Sequence, residues 1–379
     1  MVWAPHPDDE SLAAGVLLQK AVAVGAAIRV VYVTDGDNNP WPQRAVEKRW
    51  RLTAADRLRW GERRRAEALA ALQVLGIDST DAHFMGLPDQ HVTDALLHDC
   101  NALSKRFAAT IAEWRPTLLL VPSERDTHPD HSAVTILTHL ATQKLAAGVR
   151  HFRLLTYLVH GNRETFATHA GVLKQSAEEA SQKRRAIAQH RSQVKFSRRR
   201  FMSYASRSEL FALGDAETHV PGKHPITIVQ RSDTQLRLSL HSRFQTFGTK
   251  PAILYLVGRT HDGAPLSIQL RLTAEAKVQM TNCATGHRVG LATCHGRSFA
   301  GEIELPIRIF SSDSPLFAKL ARRRWFFDEA GWAVIPAVTS DTPTDSASGV
   351  ALEPQLVNQA TGNTSHRSRK KAITSLLLL

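Results

Sequence analysis

The chain has 379 residues, 43% of them apolar, enough for about two domains with cores of their own. Its formal net charge of +13 permits an anionic ligand or partner without requiring one. Three cysteines with no CxxC pair exclude a disulfide framework, and no run of ~18 apolar residues exists to span a membrane.

In chain order, Val2-Trp3-Ala4 is a short apolar strand and runs straight into Pro5-His6-Pro7-Asp8-Asp9-Glu10. Residues 11–24 read as a buried helix with acids at its amino end, where negative charge is favoured. Ile28 to Val33 is a β-rich run, apolar but for Arg29, as expected of a parallel strand covered on both faces. It ends in Thr34-Asp35-Gly36-Asp37, whose two acids read as caps of the next element. Asn38 to Trp60 has no clean period and is taken as a loop or short helices over the site. Helices are expected over Glu62 to Gly76, Thr93 to Trp114, His131 to Ala147 and Gly171 to His190. Strands are expected over Ala82 to Met85, Thr117 to Val121 and Phe152 to Val159, with a turn at Gly86-Leu87-Pro88-Asp89. The alternation implies an α/β fold: a Rossmann-like, doubly wound, mostly parallel sheet over residues 1–221.

The pattern changes after about residue 222. Short alternating runs at Ile226 to Gln230, Leu236 to Leu240, Ala252 to Val257, Leu266 to Leu272, Val278 to Asn282 and Gly301 to Ile309 imply a smaller β-rich, sandwich-like unit over 222–339. Its end, Phe317 to Trp332, is rich in aromatic residues and reads as helical or mixed. Residues 340–379 lack apolar periodicity and are expected to be a disordered tail. Cys100, Cys283 and Cys294 read as small buried residues. No leader is visible ahead of His6, and Leu376 to Leu379 is too short to anchor anything, so a cytoplasmic protein is expected.

The chemistry concentrates where two apolar strands each deliver a His-Pro-Asp cluster. Leu118-Leu119-Leu120-Val121-Pro122 leads to Thr127-His128-Pro129-Asp130-His131, the counterpart of the first motif. Both clusters are expected at the carboxyl edge of one sheet, where ligands bind in such folds. His6, Asp9 and His131 would make a His-Asp-His set for a metal with an open position. Zn2+ suits that set, and so does Fe2+. Asp8 would take a proton from water, and His128, read as a protonated imidazole, would face the developing negative charge. Asp130 would orient one of the histidines from behind. Arg64 and Glu67 read equally as a solvated pair or a substrate clamp, and Asp89 as a turn residue or a contact. His83, His91 and His98 read as surface or packing residues, and His160 is ambiguous.

Pro5-His6-Pro7-Asp8-Asp9-Glu10, Thr34-Asp35-Gly36, Arg64-Ala66-Glu67 with Leu75-Gly76, Gly86-Leu87-Pro88-Asp89 and His128-Pro129-Asp130-His131 occur in this order. Together they resemble the zinc-dependent PIG-L (LmbE-like) N-deacetylase family. His190, Ser192-Gln193, Phe201, Tyr204 and Glu209-Leu210-Phe211 extend the resemblance to about residue 215. It implies hydrolysis of an acetamido group on an N-acetylated amino sugar or its glycoconjugate. It implies zinc on His6, Asp9 and His131, Asp8 as general base, His128 at the oxyanion or as acid, and Arg64 and Asp89 on polar groups of the substrate. Family members usually have a longer first strand. Only Val2, Trp3 and Ala4 precede the motif here, so the strand begins upstream or is clipped.

Two other readings compete. Lys183, Arg184, Arg185, Arg191, Lys195, Arg198, Arg199, Arg200 and Arg207 fall in a stretch without an acid. A non-catalytic protein binding anionic glycans or nucleic acid through residues 183–207 would show it by steep salt dependence. Nucleic acid is the weaker partner, because no recognition motif accompanies the run. A metal-dependent phosphoester hydrolase is weaker still, because one carboxylate and two histidines do not build a two-metal site. The oligomeric state is not readable from the sequence.

Overall fold

The computed structural model describes residues 1–149, 151–214, 224–247, 251–273, 275–321, 323–324 and 326–338. In chain order the first unit holds β1 (Val2–Ala4), α1 (Asp9–Ala23), β2 (Val30–Thr34), α2 (Pro40–Glu47), α3 (Ala54–Val74), β3 (Ala82–Leu87), α4 (Val92–His98) and α5 (Cys100–Trp114). It continues with β4 (Leu118–Pro122), α6 (Pro129–Thr142), β5 (Arg153–Tyr157), α7 (Arg163–Ala167), β6 (Gly171–Leu173), α8 (Ala177–Gln189), α9 (Arg191–Ser203) and β7 (Glu209–Leu213). The strands form one seven-stranded sheet in the order β3-β2-β1-β4-β5-β7-β6. The first five in that order are parallel, and β7 and β6 are added antiparallel. The chain leaves β1 on one side through β2 and β3 and resumes on the other side with β4. That reversal opens a crevice at the carboxyl ends of β1 and β4.

Strand alternation sorts the core. Val2, Ala4, Val30 and Tyr32 face Leu17, Leu72 and Ile187 on one side of the sheet. Trp3, Val31 and Val33 face Phe107 and Ile136 on the other, and Trp3 stacks on Phe107 with ring centroids 4.4 Å apart. Short as β1 is, it is a buried central strand paired on both edges, and the Tyr157 hydroxyl donates to the Trp3 carbonyl at 2.8 Å.

Several element ends differ from the sequence reading, for local reasons. α1 begins at Asp9 because the Asp8 carbonyl already takes the Ser11 and Leu12 N–H groups. α3 begins at Ala54, where Thr53 and Asp56 form a capping box. The helix expected over Thr93 to Trp114 breaks at Asp99 into α4 and α5. The helix expected from Gly171 starts only at Ala177, after a Ser176–Glu179 capping box, and Gly171–Leu173 pairs with β7.

The second unit is all antiparallel. Its strands are β8 (Ile226–Arg231), β9 (Gln235–His241), β10 (Ile253–Arg259), β11 (Pro265–Arg271), β12 (Lys277–Asn282), β13 (Arg288–Arg297) and β14 (Ala300–Pro306). β15 (Leu316–Ala321), the short pair β16 (Arg323–Arg324) and β17 (Phe327–Asp328), and β18 (Ala333–Ile335) complete it. Nine of these strands make one sheet, β18-β15-β10-β11-β12-β13-β14-β9-β8. Its edges β18 and β8 approach, so the sheet nearly closes into a barrel around Leu238, Leu254, Leu270, Ile303 and Leu320. The sandwich-like core thus comes from one sheet folded onto itself. β13 escaped the sequence reading because Gly290, Gly296 and polar residues blur its alternation. The expected helical or mixed character of Phe317 to Trp332 is corrected: its described residues are strands and turns, and Trp325 lies outside the described residues. The expected boundary at 221–222 and the expected tail 340–379 also lie outside them.

The two units share a core. Val257, Cys283, Phe317 and Trp332 join the cluster built on α5 and α6. His98 Nδ1 donates to the Cys283 carbonyl at 2.8 Å, and Ser267 and Arg259 donate to the carbonyls of Leu97 and Leu140. Cys100, Cys283 and Cys294 are buried free thiols, and burial pushes their pKa values up to about 12, 11 and 11. No described helix is long and apolar enough to cross a membrane.

Candidate metal centre

The turn after β1 places the first motif. The His6 main-chain N–H donates to Asp9 Oδ2 at 2.9 Å, which folds the Asp9 carboxylate back beside the His6 ring. The second motif opens α6, with Pro129 in the first turn and His131 buried behind it. His6 Nδ1, Asp9 Oδ2 and His131 Nε2 then meet in a nearly equilateral triangle. Its edges are 3.3 Å (His6–Asp9), 3.2 Å (His131–Asp9) and 3.2 Å (His6–His131). A tetrahedral zinc ion with bonds of about 2.0–2.1 Å spaces its ligand atoms about 3.3–3.4 Å apart, so this triangle fits one such ion.

Each histidine of the triangle is held from its other nitrogen. His131 Nδ1 lies 3.1 Å from Asp126 Oδ2. Asp126 also accepts the N–H groups of His128, Val159 and His160, which fixes its carboxylate between β4 and β5. His6 Nε2 lies 3.3 Å from Asp130 Oδ2 and 3.1 Å from Asp89 Oδ1. Asp130 in turn accepts the Gln90 and Val92 N–H groups, tying the Leu87-Pro88-Asp89 turn to α6. Asp130 thus backs His6, and Asp126, which the sequence reading passed over, backs His131. Its signal was available as an acid two residues before His128. Asp89, expected on the substrate, lines the cavity but turns its carboxylate to His6.

The surrounding acids make the centre attract positive charge. Burial opposes charge on His131, but Asp9 and then Asp126 raise its pKa to about 9. His6 is raised well above the usual value against burial, chiefly by Asp89, with hydrogen bonds to Asp130, Asp89 and Asp9. A divalent cation would satisfy the same negative potential.

Asp8 stands next to the triangle and outside it. Burial pushes its pKa up to about 6 against the pull of Arg64. Arg64 is itself buried and donates to Asp8 Oδ2 at 2.8 Å, to the Pro7 carbonyl at 2.8 Å and to the Gly36 carbonyl at 3.2 Å. It therefore holds the Asp8 carboxylate, although it also lines the cavity. Gly36 is required there: its φ is +62°, and a Cβ would stand 2.0 Å from Arg64 Nη1. Glu67 does not pair with Arg64; it accepts from Ser192 N–H and hydroxyl at 2.9 and 2.7 Å. Asp35 and Asp37 cap nothing. Asp35 forms a two-armed pair with Arg65 at 2.7 and 2.6 Å, and Asp37 accepts the Asp89 N–H at 3.0 Å.

His128 requires a correction. Its Nδ1 accepts the Asp130 N–H at 3.3 Å, as the cap of α6, so its own proton sits on Nε2. Burial, then the nearby His6 and His131, lower its pKa to about 3. It is a neutral N–H donor near pH 7, where the sequence reading expected an imidazolium.

His160 also belongs to the site. It closes β5 on the same sheet edge, with its ring centroid 4.9 Å from His131 and 5.5 Å from His128. Arg200 Nη2 lies 2.8 Å from His160 Nδ1. A guanidinium only donates, so Nδ1 accepts and Nε2 carries the proton. His6, His128 and His131; Asp9, His131 and His160; and His6, Asp89 and Asp130 also gather ligand atoms within 4.8 Å of one another. With their free nitrogens protonated, His128 and His160 are donors facing the cavity, which sets them apart from the His6, Asp9 and His131 triangle.

The cavity above the centre measures about 470 Å³. Its floor is His6, Asp8, Asp9, Asp89 and His128. Its outer wall is Trp41, Phe196, Phe201, Tyr204, Phe326 and Phe327. Only part of the basic stretch 183–207 forms one surface: Arg184, Arg185, Arg198 and Arg199 line a shared pocket. Lys183 is buried against Glu209 at 2.6 Å, Arg200 holds His160, Arg207 covers Tyr204, and Arg184, Arg185, Arg198 and Arg199 are exposed. His83 is exposed, and His91 and His98 bond main-chain carbonyls.

Residues 1–142 match the family model described as PIG-L, GlcNAc-PI de-N-acetylase. A 1D-myo-inositol 2-acetamido-2-deoxy-alpha-D-glucopyranoside deacetylase of Mycobacterium sp. (strain JLS) is 31% identical over 182 residues, 43% of this chain and 56% of the relative. The enzyme of the same name from Corynebacterium glutamicum (strain R) is 28% identical over 147 residues, 36% of this chain and 50% of the relative. The chain thus spans about half the length of these curated relatives. Among solved structures, the N,N'-diacetylchitobiose deacetylase of Pyrococcus horikoshii is 16% identical with a TM-score of 0.45, covering 59% of this chain and 86% of that one. A conserved protein of Thermus thermophilus is 24% identical with a TM-score of 0.42, covering 61% and 97%.

Proposed function

We propose that this chain is a zinc-dependent N-deacetylase that removes acetyl from a 2-acetamido sugar carried in a glycoside or glycoconjugate. The observation that carries the reading is the triangle of His6 Nδ1, Asp9 Oδ2 and His131 Nε2, with edges of 3.2–3.3 Å. The family match over residues 1–142 and the deacetylase names of the relatives support the same chemistry.

His6, Asp9 and His131 hold the ion in this reading. Bound there, zinc supplies Lewis acidity, bringing the pKa of water toward about 7 and polarising a carbonyl. Asp8, held as a carboxylate by Arg64, takes a proton from the attacking water. His128 Nε2–H donates to the amide oxygen as it gains charge, and being neutral it does so without repelling the cation beside it. The C–N bond then breaks, acetate forms, and the proton on Asp8 passes to the departing amine. Arg64, already occupied with Asp8, positions the base and is not the main contact to substrate polar groups.

The test is amine release from a panel of N-acetylglucosamine glycosides, run on the protein as prepared, after a chelator, and after zinc or Fe2+ is added back. Release that is lost with chelator and restored by zinc is expected. Undiminished release after the metal is shown to be gone would overturn the reading, as would no release by protein carrying one metal per chain.

A further inference from the structure

The second unit reaches into the cavity. Phe327 packs against the rings of His160 and His128, with centroids 5.1 and 5.8 Å away, and Phe326 lines the same wall. These residues lie well beyond the 142 that match the family model. They are fixed in place from both sides. The Asp328 N–H donates to the Thr127 carbonyl at 2.9 Å, one residue before His128, and the Trp332 N–H donates to the Glu124 carbonyl at 2.7 Å. Between these bonds, Gly331 presses so closely on Glu124 that a Cβ would stand 1.9 Å from its carbonyl oxygen. A buried Lys319–Asp328 ion pair, 2.5 Å long, anchors the segment to β15.

Opposite this segment, α2 contributes Trp41 and Pro42, α9 contributes Phe196 and Phe201, and the turn after α9 contributes Tyr204. Phe196 is 52% exposed and Trp41 38% exposed, large apolar groups at the mouth of the cavity. The aromatic wall offers no acid; Arg64 is paired with Asp8, and Arg200 donates to His160 through Nη2. Polar side chains, Asn39, Gln193 and Ser197, also line the cavity, but its large side chains are aromatic. We infer that this wall, with Phe326 and Phe327 supplied by the second unit, selects a substrate whose aglycone is apolar. This differs from the inositol that the relatives' names carry.

The inference rests on the proposed deacetylation, and the experiment separates the two. The zinc-loaded full chain is assayed on methyl, butyl and hexyl 2-acetamido-2-deoxyglucosides and on the inositol glycoside. Full burial of a methylene is worth roughly fourfold. For a wall open at its rim, kcat/KM is expected to rise at least tenfold from methyl to hexyl, with the hexyl compound ahead of the inositol one. Phe326→Ala and Phe327→Ala should cut the hexyl-to-methyl ratio at least threefold. Phe196→Ala does the same from a half-exposed position that folding does not depend on. A flat series, a preference for the inositol glycoside, or an unchanged ratio in all three variants would overturn the inference. If no glycoside releases amine, the deacetylase reading falls and calorimetry decides on the wall alone. Hexyl glucoside, which lacks the acetamide, should then bind at least tenfold tighter than methyl glucoside and lose that margin in the variants; equal binding would overturn the inference.

Discussion

The floor and the outer wall of the cavity are built by opposite means. The floor is polar, and almost every atom of it is spoken for: Asp126 behind His131, Asp130 and Asp89 behind His6, Arg64 behind Asp8. His6, Asp8, Asp9 and His128 come from beyond two strand ends that are neighbours because β1 and β4 are paired at the reversal of the sheet, and Asp89 joins them from the turn after β3. The outer wall is aromatic and is assembled from three distant stretches, on α2, on α9 and on the segment around β17. Directional bonds tolerate little displacement, whereas apolar contacts degrade by degrees. Changes in the floor should therefore be all-or-none in chemistry, and changes in the wall should be graded in selectivity and stability.

The largest effect should come from Asp8→Asn. It keeps the shape and a partner for Arg64 but removes the base. Turnover should fall by about 10²–10⁴-fold with metal content unchanged at one per chain, measured side by side on the same preparation. Turnover within threefold of the parent would remove Asp8 from the mechanism. Asp126→Asn should follow. It leaves the triangle intact but weakens the partner that orients His131. Zinc affinity, read by competition with a chromophoric chelator, should drop by about 10–100-fold. Unchanged affinity would mean that the contact to Asp126 does not tune the ligand.

The same contrast explains what was legible in the sequence. His6, Asp9 and His131 could be read because each follows an apolar strand within a few residues, and strand pairing then does the rest. The parallel core and most strands of the second unit were legible for a similar reason, since their periods are local. Asp126 was passed over and His160 left ambiguous although they flank readable strands, because no motif marks their partners: His131, five residues on, for one, and Arg200, forty residues on, for the other. His128 was placed but given the wrong charge, because its protonation depends on burial and on two neighbouring histidines that no local pattern reports. Phe326 and Phe327 could be seen as aromatic. That they would line the cavity follows only from the Thr127 and Glu124 contacts, some two hundred residues earlier.

Gly331→Ala tests whether the wall depends on that clamp. The added Cβ cannot coexist with the Glu124 carbonyl, so the segment must move and the Trp332–Glu124 bond must stretch or break. A loss of about 1–3 kcal/mol is expected, seen as a lower midpoint in urea. The hexyl-to-methyl ratio should fall with it while zinc stays bound. A stable variant with full chain-length selectivity would show that the close approach is incidental to the wall.

The smallest effect concerns pH, and it bears on the same clamp. His224, ahead of β8, accepts the Ile226 N–H at Nδ1 and offers Nε2–H to the Gly331 carbonyl at 3.4 Å. Burial, opposed by those main-chain contacts, lowers its pKa to about 4; nearby Arg125 adds to the lowering and Glu329 works against it. A histidine with a depressed folded pKa is kept neutral by the fold. Its contribution is complete above the unfolded value of about 6.5 and is lost as pH falls from there toward about 4. The slope for one group is at most about 1.4 kcal/mol per pH unit. Protonation also removes the acceptor for Ile226, so the loosening should begin beside Gly331 and reach the wall before the floor. Urea midpoints for the parent and His224→Gln, compared at pH 7.5 and 5, should converge at the lower pH, because only the parent has a proton to take up. Parallel pH dependence in the two proteins would show that the acid sensitivity of the fold lies elsewhere.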